Sequence, residues 1–220
     1  MQKTAIATLE PRLAVLRDAT AARLPQLTGQ NQQLFGELLT AVVPLVPEIG
    51  DRAPDIDLAA ALDGRGRRLT WALDAGPVVV CFYRGHWCPY SNVQLQEYER
   101  VYPEIRALGG DVFFVGPETL TNGNKMTEKW GANVPVLCDI RGLAMDAYGL
   151  TYEVPDYLRE ELQQLGFPDL NPATAWRLPV TATFVIDQLG VIRARHLDPD
   201  FTRRMEPETA IAALRKITGR

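Results

Sequence analysis

Val78-Val79-Val80-Cys81-Phe82-Tyr83-Arg84-Gly85-His86-Trp87-Cys88-Pro89-Tyr90-Ser91 sets the architecture of this chain. Its first third is an apolar run without polar alternation, the pattern of a central strand covered on both faces. Cys81 falls inside that strand and is expected to be buried. The run then turns within a few residues and meets Pro89, which suits a first helical position because its missing N–H has no intrahelical partner to lose there. Downstream, Val93, Leu95, Tyr98, Val101, Ile105 and Leu108 recur at helical spacing until Gly109-Gly110 stops the helix. Strand, short turn and helix therefore predict Cys88 at a helix start, just beyond the carboxyl end of a strand, where open α/β sheets gather their functional groups.

The same alternation continues outward. Val112 to Val115 reads as a strand, Gly123 to Trp130 as a helix, Val134 to Cys138 as a strand and Arg141 to Tyr148 as a helix. Tyr152 to Phe167 reads as helical and Pro168 to Leu178 as a loop. Thr183 to Asp187 and Val191 to Arg195, joined by Gln188-Leu189-Gly190, predict a hairpin, and Pro207 opens a last helix to Ile217. Upstream, Ala53 to Leu58 and Arg67 to Thr70 read as short edge strands around the turn Asp63-Gly64-Arg65-Gly66. The fold class is α/β, a mixed and largely parallel sheet flanked by helices.

Before this unit, apolar residues from Ile6 to Val42 recur at three or four residue spacing, as on amphipathic helices broken near Pro25 and Gly29. The composition changes around Pro44, Pro47 and Gly50-Asp51. Residues 1–49 are accordingly read as a helical arm and 50–220 as the main domain. An amphipathic arm needs a surface for its apolar stripe, so it either packs on its own domain or supplies a homodimer contact.

Composition narrows the function classes. A chain of 220 residues with 46% hydrophobic residues can bury a core without disulfides. Cys81, Cys88 and Cys138 form neither an even framework nor a Cys-x-x-Cys pair, and with only two histidines, His86 and His196, no zinc ligand set is suggested. The net charge of -4 is spread along the chain and gives no nucleic-acid footprint. No stretch reaches the roughly 20 uncharged apolar residues of a membrane span. A soluble, cytoplasmic protein without a bound cofactor is expected.

The chemistry centres on Cys88. At a helix cap the orphan amides and the positive end of the dipole favour a thiolate, and Arg84 and His86 lie close in sequence. Arg84 is a candidate to hold the thiolate or polarise a leaving oxygen, or else forms a structural salt bridge. His86 is a candidate proton donor or a solvated turn residue. Trp87, Pro89 and Thr181 are candidate substrate contacts, with Trp87 shielding the thiol or simply packing, and Ser91 is placed to hydrogen-bond the sulfur from the first helical turn.

Ala53-Pro54-Asp55, Phe82-Tyr83-Arg84-Gly85, Trp87-Cys88-Pro89-Tyr90, Pro135-Val136-Leu137-Cys138-Asp139, Thr183-Phe184-Val185-Ile186-Asp187 and Asp200 to Glu208, in this order, resemble the AhpC/TSA peroxiredoxin-like family. The resemblance implies a thioredoxin fold and thiol-dependent reduction of hydrogen peroxide or organic hydroperoxides through a Cys88 sulfenic acid. Three departures stand out. The threonine that typical members carry before the reactive cysteine corresponds to Gly85, and the usual arginine before the Thr-Phe-Val-Ile-Asp strand corresponds to Thr181, leaving Arg84 or Arg177 to supply the charge. Ser91 stands where related sequences carry a second cysteine. Resemblance thus implies a one-cysteine cycle with an external thiol reductant, thioredoxin or glutathione, unless Cys138 resolves the sulfenic acid. A monothiol disulfide reductase of glutaredoxin type, suggested by Cys88-Pro89-Tyr90-Ser91, and a non-enzymatic redox sensor or binding protein are the alternative readings.

Overall fold

In the computed structural model, which describes residues 8–164 and 174–220, Pro25 divides the N-terminal segment into two helices. α1 (Leu9–Arg23) ends where Pro25 can donate no backbone N–H, and α2 (Pro25–Ala41) starts on that proline. Gly29, expected to break the helix, lies inside α2, and open space around it explains the tolerance. A 3₁₀ turn, Val43–Leu45, leads to the sheet.

β1 (Asp57–Ala60) and β2 (Gly66–Arg68) pair around the expected turn, but β1 starts later than expected and lies inside the sheet between β2 and its other neighbour, and Leu69 and Thr70, read as strand, open α3 (Leu69–Ala75). This helix was not legible in the sequence: it is short and buries only Leu69 and Leu73, one turn apart. β3 (Val78–Phe82) is buried at every position and feeds α4 (Pro89–Ala107). β4 (Asp111–Gly116), α5 (Leu120–Trp130), β5 (Val136–Cys138) and α6 (Leu143–Ala147) continue the alternation.

The stretch Tyr152 to Phe167, read as one helix, begins differently. β6 (Thr151–Glu153) precedes α7 (Asp156–Gln164), because Pro155 disfavours a helical Val154. β6 pairs with β7 (Arg177–Pro179), a strand at the end of the segment read as a loop. The remainder of both readings, residues 165–173, lies outside the described residues. β8 (Ala182–Ile186) and β9 (Ile192–Leu197) form the hairpin, and α8 (Pro207–Thr218) closes the chain.

The main sheet has seven strands in the order β2-β1-β5-β4-β3-β8-β9. Its centre is parallel, β3 with β4 and β4 with β5, while β1 and β8 join antiparallel on the two sides. Successive side chains of β3 enter different cores. Val78, Val80 and Phe82 join Leu34, Leu38, Tyr148 and Leu158 on one face, whereas Val79 and Cys81 join Leu95, Tyr98, Ile211 and Leu214 on the other. A strand buried on both sides has no reason to alternate, which is why its sequence does not.

The arm closes onto the domain. Leu9 and Glu10 backbone amides donate to the two Glu206 carboxylate oxygens at 2.8 and 2.7 Å, placing an anion at the start of α1. Arg12 donates to Glu97 and, at 2.7 Å, to Gln96 on α4. Leu9 and Leu13 then pack with Cys88, Tyr90 and Phe201 in a third apolar cluster. Among the described residues no helix is long and apolar enough to cross a membrane.

Candidate active site

Cys88 is the N-cap residue of α4, with extended backbone at φ -80° and ψ 115°, and Pro89 takes the first helical position. Its own N–H donates to the Gly85 carbonyl at 3.1 Å, closing the turn after β3, while its carbonyl accepts from Asn92 at 3.1 Å. The sulfur-bearing residue is 1% exposed yet forms part of the wall of a cavity of about 430 Å³ between the arm and the end of the sheet. Pro89, Tyr90, Trp87 and Arg84 share that wall.

Arg84 is buried and stacks over Phe201 at 3.7 Å and Trp87 at 4.9 Å, geometry that suits a planar guanidinium on aromatic faces. It reaches Tyr152 as well: burial pushes that phenol up, and the Arg84 charge and hydrogen bond pull it partly back. Arg84 therefore sits in the cavity wall, held by aromatic faces. Gly85 explains the absent threonine in steric terms. A Cβ at this position, where φ is +157°, would lie 2.2 Å from Trp87 Nε1. The indole fills the space that a side chain at 85 would need.

The second cation comes from far along the chain. Arg204, 7% exposed, donates through Nη1 to Thr181 Oγ1 at 2.7 Å and to the Arg203 carbonyl at 3.1 Å, and through Nε to Gln94 Oε1 at 3.0 Å. Gln94 passes the network to Thr183 at 3.4 Å, and the Thr183 hydroxyl points at the Cys81 sulfur at 3.7 Å. Burial pushes the Arg204 guanidinium down to about 10, against the pull of the Cys88 sulfur. Thr181, a candidate substrate contact, is 1% exposed and accepts from Arg204. The position that lacks an arginine thus positions one supplied from elsewhere. Sequence reasoning missed Arg204; its only signal was its place within Asp200 to Glu208.

Arg177, the other arginine considered, lies away from the site, bonded to Asp146 at 2.6 and 2.8 Å. His86 does not line the cavity. Its Nδ1 lies 3.0 Å from the fully buried Glu118 carboxylate, which also accepts from the His86 backbone N–H, and its carbonyl accepts from Asn92 Nδ2 at 2.9 Å. These bonds fasten the turn that presents Cys88. Ser91 is completely buried in the first turn of α4.

The other thiols differ in setting. Burial pushes Cys81 up to about 12 in the core. Cys138 is likewise pushed up to about 12, by burial and then by Glu118, and its Sγ donates to the Thr119 carbonyl at 3.6 Å. It packs in the same core as Cys81, whereas Cys88 belongs to the third cluster under the arm.

Solved peroxiredoxins share the fold: peroxidoxin BcpB from Mycobacterium tuberculosis superposes with a TM-score of 0.61 at 21% identity, covering 77% of this chain and 97% of that one. Reduced Prx3 from Vibrio vulnificus, solved with H2O2, gives 0.59 at 18% identity, covering 77% and 99%. Thiol-disulfide oxidoreductase ResA of Geobacillus thermodenitrificans (strain NG80-2) is 29% identical over 103 residues, 46% of this chain and 58% of its own length. The thioredoxin fold of the domain is that of these proteins. The AhpC/TSA family profile matches residues 49–195, which run from the approach to β1 into β9 and take in Cys88, so this chain belongs to the AhpC/TSA family.

Proposed function

We propose that the protein is a one-cysteine thiol peroxidase. The observation that carries this reading is the setting of Cys88: a helix-capping cysteine in a cavity wall that it shares with the buried cation Arg84. Family membership supports thiol-based oxidoreductase chemistry, and the likeness to a thiol-disulfide oxidoreductase is consistent with it.

In the proposed cycle the Cys88 thiolate attacks one peroxide oxygen. An S–O bond forms as the O–O bond breaks, sulfur is oxidised to sulfenic acid, and the second oxygen leaves as water or alcohol once protonated. Arg204 and Arg84 stabilise the negative charge that moves onto the departing oxygen; such fixed, water-excluded charges contribute most when they are positioned before the reaction. An external thiol, glutathione or a thioredoxin, then displaces water from the sulfenic acid to give a mixed disulfide. A second thiol equivalent releases Cys88 and carries away the disulfide.

The ResA likeness favours one second reading, a monothiol disulfide reductase. The deciding experiment is the second-order rate at which anaerobically reduced protein, wild type and Cys88→Ser in parallel, consumes stoichiometric hydroperoxide, with sulfenic acid trapped at Cys88. The peroxidase reading expects wild type to react orders of magnitude faster than a free thiol and the variant not to. Slow consumption by both, with efficient reduction of a glutathionylated test substrate, would replace it with the reductase.

A further inference from the structure

The cavity beside Cys88 is far larger than hydrogen peroxide needs. A water molecule's share of liquid volume is about 30 Å³, so a two-oxygen substrate would leave most of the 430 Å³ unfilled. Its volume falls instead in the range of pockets that enclose organic ligands. The walls are mainly apolar: Leu27, Leu34 and Phe35 come from α2, Tyr152 from β6, Val154 from the turn after it, and Leu158 and Leu162 from α7. Polar groups gather with the arm's outer turns, where Asp18, Asn31 and Gln32 contribute and Arg17 is already bonded to Glu10 and, at 3.3 Å, to the Thr202 carbonyl.

The position of these walls matters as much as their chemistry. The family match begins at residue 49, so the α1 and α2 wall lies outside the matched domain. Without the arm, Cys88 would stand at the end of the sheet with one side uncovered. With it, Cys88 opens into an apolar chamber that buries it from bulk water.

We infer that the N-terminal arm builds a subsite for the apolar body of an organic hydroperoxide, so that the substrate is an alkyl or aryl hydroperoxide in preference to hydrogen peroxide. This rests on the peroxidase reading. The tail lies among α2, β6 and α7 while the hydroperoxide group meets Cys88 and Arg84. The O–O bond breaks as above, the tail leaves as its alcohol, and the external thiol restores Cys88. Burying the tail contributes binding that hydrogen peroxide has no surface to make.

The test is a pair of second-order rate constants, for cumene hydroperoxide and for hydrogen peroxide, on wild type, Thr28→Trp and Leu158→Trp. Both variants put an indole into the chamber, one from α2 and one from α7, so one misfolded variant leaves the other. Expected is a wild-type ratio of at least tenfold in favour of cumene hydroperoxide, falling tenfold or more in each folded variant. Cumyl alcohol should slow the wild-type reaction competitively. Rapid oxidation of Cys88 by hydrogen peroxide with a ratio at or below one would overturn the subsite and leave the peroxidase reading standing, as would a ratio unchanged in both folded variants. Oxidation by neither hydroperoxide would remove the peroxidase reading itself, and the subsite with it.

Discussion

Arg204 enters the site through three hydrogen bonds made by two of its nitrogens, a geometry that a lysine ammonium cannot reproduce. Arg204→Lys keeps the charge but loses the fixed fork, and the hydroperoxide rate constant should fall about 10- to 100-fold while the protein stays folded by circular dichroism. Thr181→Val should give a smaller loss in the same direction, since it removes only one of the two Nη1 partners; an unchanged rate would show that Thr181 does not position the guanidinium. Gly85→Thr restores the side chain that typical members of the family carry, yet its Cβ collides with the Trp87 indole. The variant should be slower and less stable than wild type, and Trp87→Ala should recover part of both losses, a coupling that a double-mutant cycle in rate and denaturation midpoint reads directly. Cys88 and Arg84 were visible in the sequence because they sit in one short run after a strand. Arg204 was not, because nothing local marks a residue that reaches the site by tertiary folding alone.

Among the elements, α1 depends on an anchor from the far end of the chain. Glu206 receives both Leu9 and Glu10 amides, so Glu206→Ala leaves those donors without their carboxylate and should destabilise the protein by about 1 kcal/mol. Urea titration followed by tryptophan fluorescence checks this, and a midpoint equal to wild type would place the anchoring elsewhere, for instance in Arg12 and Glu97. Long periodic elements were readable: α4, β3 and the β8–β9 hairpin stand close to their expected limits because burial dictates their patterns. Short elements were not. β6 and β7 have three residues each, fewer than any periodicity needs, and it is Pro155 and the pairing of Tyr152 with Leu178 that turn a helical reading into a strand.

For the whole molecule, acid stability should be set in part by His196, which burial holds below the ordinary histidine range. A histidine depressed in the folded state binds its proton more readily when unfolded, so its contribution is fully present above the unfolded value, about 6.5, and is lost as pH falls through the folded value. Denaturation midpoints should therefore decline below about pH 6.5, and His196→Asn should flatten that decline. At lower pH the contributions of Asp146, beside Thr151 and Arg177, and Asp187, beside Val191 and Arg193, disappear in the same direction, because both carboxyls lie below their ordinary value when folded. The α/β class and the membership of the domain in its family were thus legible from pattern and motif, whereas the packing of the arm over Cys88 was not, since amphipathic spacing names a buried face without naming what it is buried against. The Glu206 clasp on α1 has a final consequence. Swinging the arm aside exposes the Leu9 and Glu10 amides to solvent, so their deuterium uptake becomes a clock for how often the chamber opens. If catalysis outruns that clock, substrate enters through a gap in a closed chamber; if the two keep pace, each turnover waits for the arm.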